Sequence, residues 1–283
     1  MHIQASSPLP YIYSLGLIIA GLIALVGYRS VFAKASYLGP SKGTWLDFLL
    51  FVWGLIVAFY LSVYAAKSLS GGLETKGVQA DTRLDPLLST SLLELSVVVF
   101  LLLSFKYQKA FWSPKIRFSP RAWIPLLKTV GLSFLALFPF LCLCNFIWQL
   151  LLSLLVHLNW IHALKTQNII EAFLESPSRL HTVVLSLNAI VIAPFLEELI
   201  FRGGVYRFFK AKLSHHSSSL LSAFLFAVLH ENIASFAPLW LLGWWLNTLY
   251  EKTNSIWAPA LLHSLFNANS LLLLYLSNAK GCT

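Results

Sequence analysis

The chain has 283 residues, of which 58% are hydrophobic and only 11% are charged, and its mean hydropathy is +0.74. Soluble domains have about a quarter charged residues, so this composition excludes a protein that faces water on all sides. The net charge of +9 does not indicate nucleic-acid binding, because the basic residues lie in short segments between apolar runs. Such segments are typical of membrane-protein loops, so we expect lipids, and not nucleic acid, as partners.

The apolar runs are long enough to cross a bilayer, which takes about 20 helical residues. The run from Trp123 to Trp160 is too long for one untilted helix and too short for two, and we interpret it as one long helix with a kink near Pro139. We therefore predict an all-α fold, a polytopic transmembrane bundle of about eight helices. The predicted spans are 11–28, 45–66, 86–105, 123–160, from His181 past Glu198, 217–233, 236–250 and 256–276.

Domain organisation and orientation follow from the same pattern. Residues 1–122 contain the first three helices and the most basic loop, and residues 123–283 contain the helices with the chemistry. We expect both parts to form one continuous membrane domain. Lys and Arg are more frequent in the loops after odd-numbered spans, which predicts that these loops face the cytoplasm and that both termini lie outside.

Ionisable side chains inside membrane helices are costly, so each requires an explanation. The fifth span contains Glu197, Glu198 and Arg202. Glu198 and Arg202 are four residues apart and can pair on one face of a helix. Glu197 points about 100° away. We therefore predict that Glu198–Arg202 is a structural ion pair and that Glu197 is a general base that takes a proton from water.

Three further polar residues lie in apolar runs of the last third of the chain. His263 and Asn267 are four residues apart, so they share a helix face, and His230 lies on a separate helix. A neutral histidine can hold a water or ligate a metal, and the Asn267 amide can stabilise an oxyanion. A base, two imidazoles and an oxyanion donor are the groups needed to hydrolyse an amide with an activated water.

Simpler interpretations exist for each residue. A lone histidine in a membrane helix is more often a hydrogen-bonded packing residue than a catalyst. Glu94 has no recognisable context in the sequence, and His215 and His216, in a polar segment, are expected to be solvated. What favours a site is the occurrence of three polar groups on three helices of an otherwise apolar chain.

At these residues the sequence resembles the CAAX-processing and bacteriocin-processing intramembrane endopeptidases, the CPBP or Abi family. The family pattern is Glu-Glu-x-x-x-Arg, then Phe-x-x-x-His, then His-x-x-x-Asn or Asp. Every position is filled here in the same order. The matching residues are Glu197, Glu198 and Arg202, then Phe226 and His230, then His263 and Asn267.

The resemblance implies an intramembrane endopeptidase that cuts a membrane-tethered or lipidated peptide or protein, in some members a prenylated CAAX protein. It implies that Glu197 activates water, with Glu198, Arg202, His230, His263 and Asn267 completing the site. Zinc, held by His230 and His263, is a possible cofactor, which would make the protein a metalloprotease. However, the soluble zinc-protease signature His-Glu-x-x-His is absent. The expected location is the inner or plasma membrane of a prokaryote.

Two other function classes are compatible with the sequence. A non-catalytic membrane scaffold or bacteriocin self-immunity protein could keep the fold and use the motif residues as a polar network. A secondary transporter could use Glu197 and the histidines as a proton relay, although no repeated pair of interrupted helices is visible. Sequence alone identifies neither the substrate nor the cleavage position.

Overall fold

A computed structural model describes residues 9–32, 38–74, 85–113, 123–160 and 178–278. These residues form eight α-helices and no strand, which confirms the predicted all-α bundle. A short 3₁₀ turn, Ile233–Ser235, precedes the seventh helix. The helices are α1 (Leu9–Phe32), α2 (Trp45–Glu74), α3 (Asp85–Tyr107), α4 (Trp123–His157), α5 (Arg179–Lys210), α6 (His215–Val228), α7 (Phe236–Thr253) and α8 (Trp257–Asn278).

Length and composition make this a multi-pass integral membrane protein. Within the described residues, six helices are long and apolar enough to cross a bilayer, namely α1 to α5 and α8. Helix α6 has 14 residues, a rise of about 21 Å. It ends at Val228, earlier than the predicted end at Ile233, because the chain turns at Glu231, which has a φ of 49°.

Helix α4 runs without interruption through Pro139, so the long fourth apolar run is one helix, as predicted. Because proline has no backbone N–H, the carbonyl of Leu135 loses its partner four residues on. Gly21 of α1 packs at this point, and a Cβ at position 21 would overlap the Leu135 oxygen and lie 2.6 Å from the Pro139 ring. The absence of a side chain at Gly21 therefore lets α1 approach α4 closely.

Contacts divide the chain into two compact units. One contains α1, α4, α6 from His216, α7 and α8, and the other contains α2, α3 and α5. Each unit combines segments from both sides of the predicted boundary between residues 122 and 123. That division of the sequence stays a prediction.

The first unit has a polar contact at its centre. Ser133 of α4 hydrogen-bonds the hydroxyl of Tyr28 at 3.0 Å and accepts a 2.8 Å bond from the indole N–H of Trp245. The rings of Tyr28 and Trp245 stack with centroids 5.5 Å apart. One buried hydroxyl thus links α1, α4 and α7 and satisfies both aromatic polar groups.

The second unit is packed by aromatic side chains. Phe51 of α2 is fully buried and lies 4.9 Å, between ring centroids, from Phe111. Gly204 of α5 faces both rings, and a Cβ there would lie 3.0 Å from Phe51 and 3.5 Å from Phe111. Phe48 stacks on Phe208 at 4.3 Å. These contacts fix the C-terminal half of α5, the helix that carries the glutamate motif.

Candidate active site

Helix α5 contains two wide, π-helical stretches, Asn188–Ile192 and Leu199–Tyr206. The first lies immediately before Ala193 and Pro194, where a proline ring disturbs the regular i→i−4 hydrogen bonding. The second follows Glu198 and contains Gly203 and Gly204. Such stretches are rare in helices and frequent at functional sites. The Glu197–Glu198 pair lies in the short α-helical segment between them.

Glu198 and Arg202 form the predicted ion pair. An N–H of the Arg202 guanidinium donates to a Glu198 carboxylate oxygen 2.8 Å away, and both side chains are essentially inaccessible to solvent. A charged pair in such surroundings is stable only if both members are present, because either one alone would be an uncompensated buried charge. The structural role assigned to this pair from the i, i+4 spacing is therefore consistent with its geometry.

Glu197 is in a different environment. It is half-buried, whereas Glu198 is fully buried. Its carboxylate interacts electrostatically with Arg202 of its own helix and with Glu94 of α3. The difference in burial follows from the 100° rotation between consecutive helical residues. Its predicted role as the base stays a prediction.

The end of α5 is attached to the segment that precedes α2. Ser41 N–H donates to the Arg207 carbonyl at 3.0 Å, and the Arg207 Nε–H donates to the Gly39 carbonyl at 3.2 Å. Arg207 is buried. The hydroxyl of the preceding residue, Tyr206, hydrogen-bonds His215 Nδ1 at 3.0 Å. His215 and His216 are exposed, as predicted, but His215 also has this protein partner.

Glu94 contacts a polar residue of another helix, which the sequence did not predict. It lies on α3 and accepts a hydrogen bond from the side chain of Asn188, which is buried at the start of the first π-helical stretch. Glu94 and Asn188 are far apart in the chain, so no local pattern could pair them. The only signal available was that each is a polar residue in an apolar run.

In the other unit, Phe226 lies between the two predicted imidazoles. Its ring is fully buried, with its centroid 4.5 Å from that of His230 and 5.5 Å from that of His263. His263 is only 2% exposed, and its ring meets Phe226 edge-on. The structure thus brings His230 and His263 into contact with the same aromatic ring.

His230 lies just beyond the end of α6. Its Nδ1–H donates to the carbonyl of Phe226 at 2.6 Å, since a carbonyl can only accept. This bond selects the tautomer of a neutral ring in which Nε2 is the acceptor nitrogen. An imidazole in this state can accept a hydrogen bond from a water.

The turn after His230 is held by α4. The indole N–H of Trp148 donates to the Ile233 carbonyl at 2.7 Å, and the Gln149 amide donates to the Ala234 carbonyl at 2.9 Å. Asn232 caps the short turn through the Ala234 N–H at 3.0 Å. Neither Trp148 nor Gln149 was among the residues predicted from the sequence. An isolated amide in an apolar run was the available signal for Gln149.

Asn267 is half-buried on α8, one turn after His263, as the spacing predicted. Two residues further on, Asn269 is buried and accepts a 2.9 Å hydrogen bond from the hydroxyl of Tyr13. This bond ties α8 to α1 next to the motif. The role of Asn267 as an oxyanion donor stays a prediction.

A metal centre receives no geometric support. Among the residues that the structure describes, no three His, Cys, Asp or Glu side chains come together as ligands of one ion. Zinc is usually held by three or four such ligands. The use of His230 and His263 as metal ligands stays a prediction.

Comparison with known proteins agrees with the motif analysis. Residues 179–269 match the family model described as "Type II CAAX prenyl endopeptidase Rce1-like". The protein named "Putative membrane peptidase YdiL" from Bacillus subtilis (strain 168) is 27% identical over 77 residues, which are 27% of this chain and 32% of that protein. The match thus spans about a third of that relative's length. No solved structure matches the chain.

These matches support the predicted resemblance to the CAAX-processing and bacteriocin-processing endopeptidases. The matched segment, 179–269, includes the glutamate motif on α5 and both histidine motifs, that is, all six predicted site residues. Helices α1 to α4 precede the segment that matches the family model.

Proposed function

With this family match as the premise, we propose that the protein is an intramembrane endopeptidase in which Glu197 activates a water. The water attacks the carbonyl carbon of a peptide bond in a membrane-tethered or lipidated substrate. The observation that carries the proposal is the contrast between two adjacent glutamates. Glu198 is fully buried and paired with Arg202, whereas its half-buried neighbour Glu197 lies on another face of the helix.

The proposed chemistry uses one proton and returns it. Glu197 removes a proton from the water as the oxygen attacks, and the carbonyl becomes an oxyanion. The Asn267 amide N–H stabilises this oxyanion. Glu197 then gives the same proton to the leaving amine as the C–N bond breaks. His230, with Nε2 as an acceptor, orients the attacking water, and His263 polarises it.

The substrate class is inferred from the surroundings of the site. The glutamate motif and the motif of His263 and Asn267 lie on apolar helices that are long enough to cross a bilayer, so we infer that the substrate reaches them from the bilayer or its surface. A lipid anchor or a membrane-spanning segment on the substrate would bring its peptide bond there. A prenylated substrate is one case of this class, consistent with the description of the matching family model.

The test is cleavage of membrane-anchored reporter peptides, farnesylated and unmodified, by purified protein in lipid. Glu197→Gln and His263→Ala are compared with wild type, and Glu231→Gln and His216→Ala serve as controls because both residues are exposed. We expect the first two variants to lose at least about a hundredfold in kcat, given the usual size of acid–base contributions. The two controls should retain wild-type activity.

Cleavage that survives Glu197→Gln would overturn the assignment of the base. Absence of cleavage of every reporter, with protein that is folded by circular dichroism, would favour the non-catalytic scaffold. The same assay with a strong chelator decides whether zinc takes part. A chelator that abolishes cleavage, with zinc restoring it, would assign the histidines a metal.

A further inference from the structure

Glu94 is the tenth residue of the 23-residue helix α3, and so lies near the middle of a membrane span. A carboxylate at this depth is expensive unless it is paired. Helix α2, which packs against α3, has no charged residue between Asp47 and Lys67. The charge that Glu94 does meet, Glu197, has the same sign. Arg202, for its part, interacts with Glu198 and Glu197.

In the contact between Glu94 and Asn188, one oxygen atom of each side chain has no hydrogen-bond partner among the described residues. The Asn188 side chain donates one hydrogen bond to the Glu94 carboxyl group. Glu94 Oε1 and Asn188 Oδ1 are both buried and have no hydrogen-bond partner among the described residues. Asn188 itself is only 5% exposed. Buried polar atoms are nearly always hydrogen-bonded, so two orphaned acceptors on adjoining side chains need an explanation.

One proton satisfies both atoms. A protonated carboxyl group is a donor as well as an acceptor, and a primary amide is both too. Facing each other, they form two antiparallel hydrogen bonds: amide N–H to one carboxyl oxygen, and carboxyl O–H to the amide oxygen. The resulting pair is neutral, which removes the cost of a charge in the bilayer.

We propose that Glu94 carries a proton and forms a reciprocal acid–amide pair with Asn188, and that this pair positions Glu197. It links α3 to α5 at the start of the π-helical stretch that precedes the Glu197–Glu198 segment. Because the link is neutral, it adds no second negative charge beside the base. The effect on catalysis rests on the proposed function, whereas the pair itself does not.

The decisive variant is Glu94→Gln, because glutamine has the shape of a protonated glutamate and can make the same two bonds to Asn188. We expect its kcat to remain within about twofold of wild type. Glu94→Leu and Asn188→Leu each leave one partner of a buried pair unsatisfied. We expect them to lower kcat by roughly tenfold with little change in KM, since positioning of the base is impaired while substrate binding is kept.

Infrared spectroscopy tests the proton without requiring activity. The carboxyl C=O band of a protonated acid should be present in wild type at neutral pH, persist in Glu197→Gln and disappear in Glu94→Gln. Retention of the band in Glu94→Gln, or its absence from wild type, would overturn the proposal. So would a Glu94→Gln variant as impaired as Glu94→Leu, which would require an ionised carboxylate, for example one that binds a cationic group of the substrate.

The two proposals fail in different ways. If wild type cleaves no reporter, the peptidase function is wrong, and the infrared band still decides whether Glu94 is protonated. If wild type cleaves and the band is unaffected by Glu94→Gln, the peptidase stands and the acid–amide pair is wrong.

Discussion

Gly21 of α1 lies directly against the Leu135 carbonyl of α4, the carbonyl whose helical partner is missing because residue 139 is proline. The contact puts backbone against backbone, so a side chain at position 21 could not be accommodated by a rotamer change. The close approach of α1 to α4 therefore depends on a single hydrogen atom in place of a methyl group.

We predict that Gly21→Val separates α1 from α4. Overpacking against a well-packed partner costs about 1–3 kcal/mol, and backbone contact places this site at the upper end. The measurement is the free energy of unfolding in mixed dodecyl sulfate and maltoside micelles. Gly16→Val is the matched control, since a Cβ at Gly16 meets nothing within 4 Å. Equal stability of the two variants would contradict the prediction.

Ser133→Ala should destabilise the first unit by about 1–3 kcal/mol. It removes the serine oxygen that the buried Tyr28 hydroxyl and the buried Trp245 N–H share. The control is Ser153→Ala on the same helix, where the serine is exposed and bonds only to the Leu150 carbonyl. A shift in the fluorescence of the tryptophans on unfolding reports both variants. A cost at position 153 equal to that at 133 would contradict the assignment.

Arg202→Met should cost about 3–5 kcal/mol, because it leaves Glu198 as an unpaired charge in a fully buried site. The double variant Glu198→Leu with Arg202→Met should recover most of that loss, since neither charge remains. Arg179→Met, which removes an exposed arginine from the same helix, should change stability little. Additive costs in the double variant would show that the two residues act independently.

Phe226→Leu should lower the rate of reporter cleavage more than it lowers the stability of the protein. It removes the ring that contacts both His230 and His263, and aromatic contacts of this kind are worth about 0.5–1.5 kcal/mol each. If both are needed to hold the imidazoles, kcat for reporter cleavage falls by roughly five- to a hundred-and-fiftyfold. Phe224→Leu is the control, two residues earlier on the same helix, with its ring against Phe236 and Trp240. Equal loss in both variants would argue for a general packing defect.

Local patterns predicted much of this molecule. Hydropathy located the eight helices of the described residues, although only six of them are long and apolar enough to cross a bilayer. The i, i+4 rule identified the Glu198–Arg202 pair, because a helix fixes the neighbours of its own residues. The single long α4 was also predictable, since proline in a membrane helix is tolerated where other groups take up the freed carbonyl.

The features that the sequence did not predict depend on backbone turns and on contacts between residues far apart in the chain. Hydropathy extended α6 past His230, but the helix ends at Val228, the side chain of His230 bonds the Phe226 carbonyl, and Glu231 has a positive φ. The Glu94–Asn188 contact joins residues far apart in the chain. Neither a backbone turn nor a tertiary pair is visible in apolar periodicity.

The placement of Glu198 and Arg202 one turn apart has a consequence for how the protein is made. A lone charge adds about 2.5–3.5 kcal/mol to the insertion of a helix by the translocon. Since both charges belong to α5, they can neutralise each other as soon as that helix forms, without a partner from another helix. Helix α5 therefore carries its own counter-ion into the bilayer, and its insertion need not wait for assembly of the bundle.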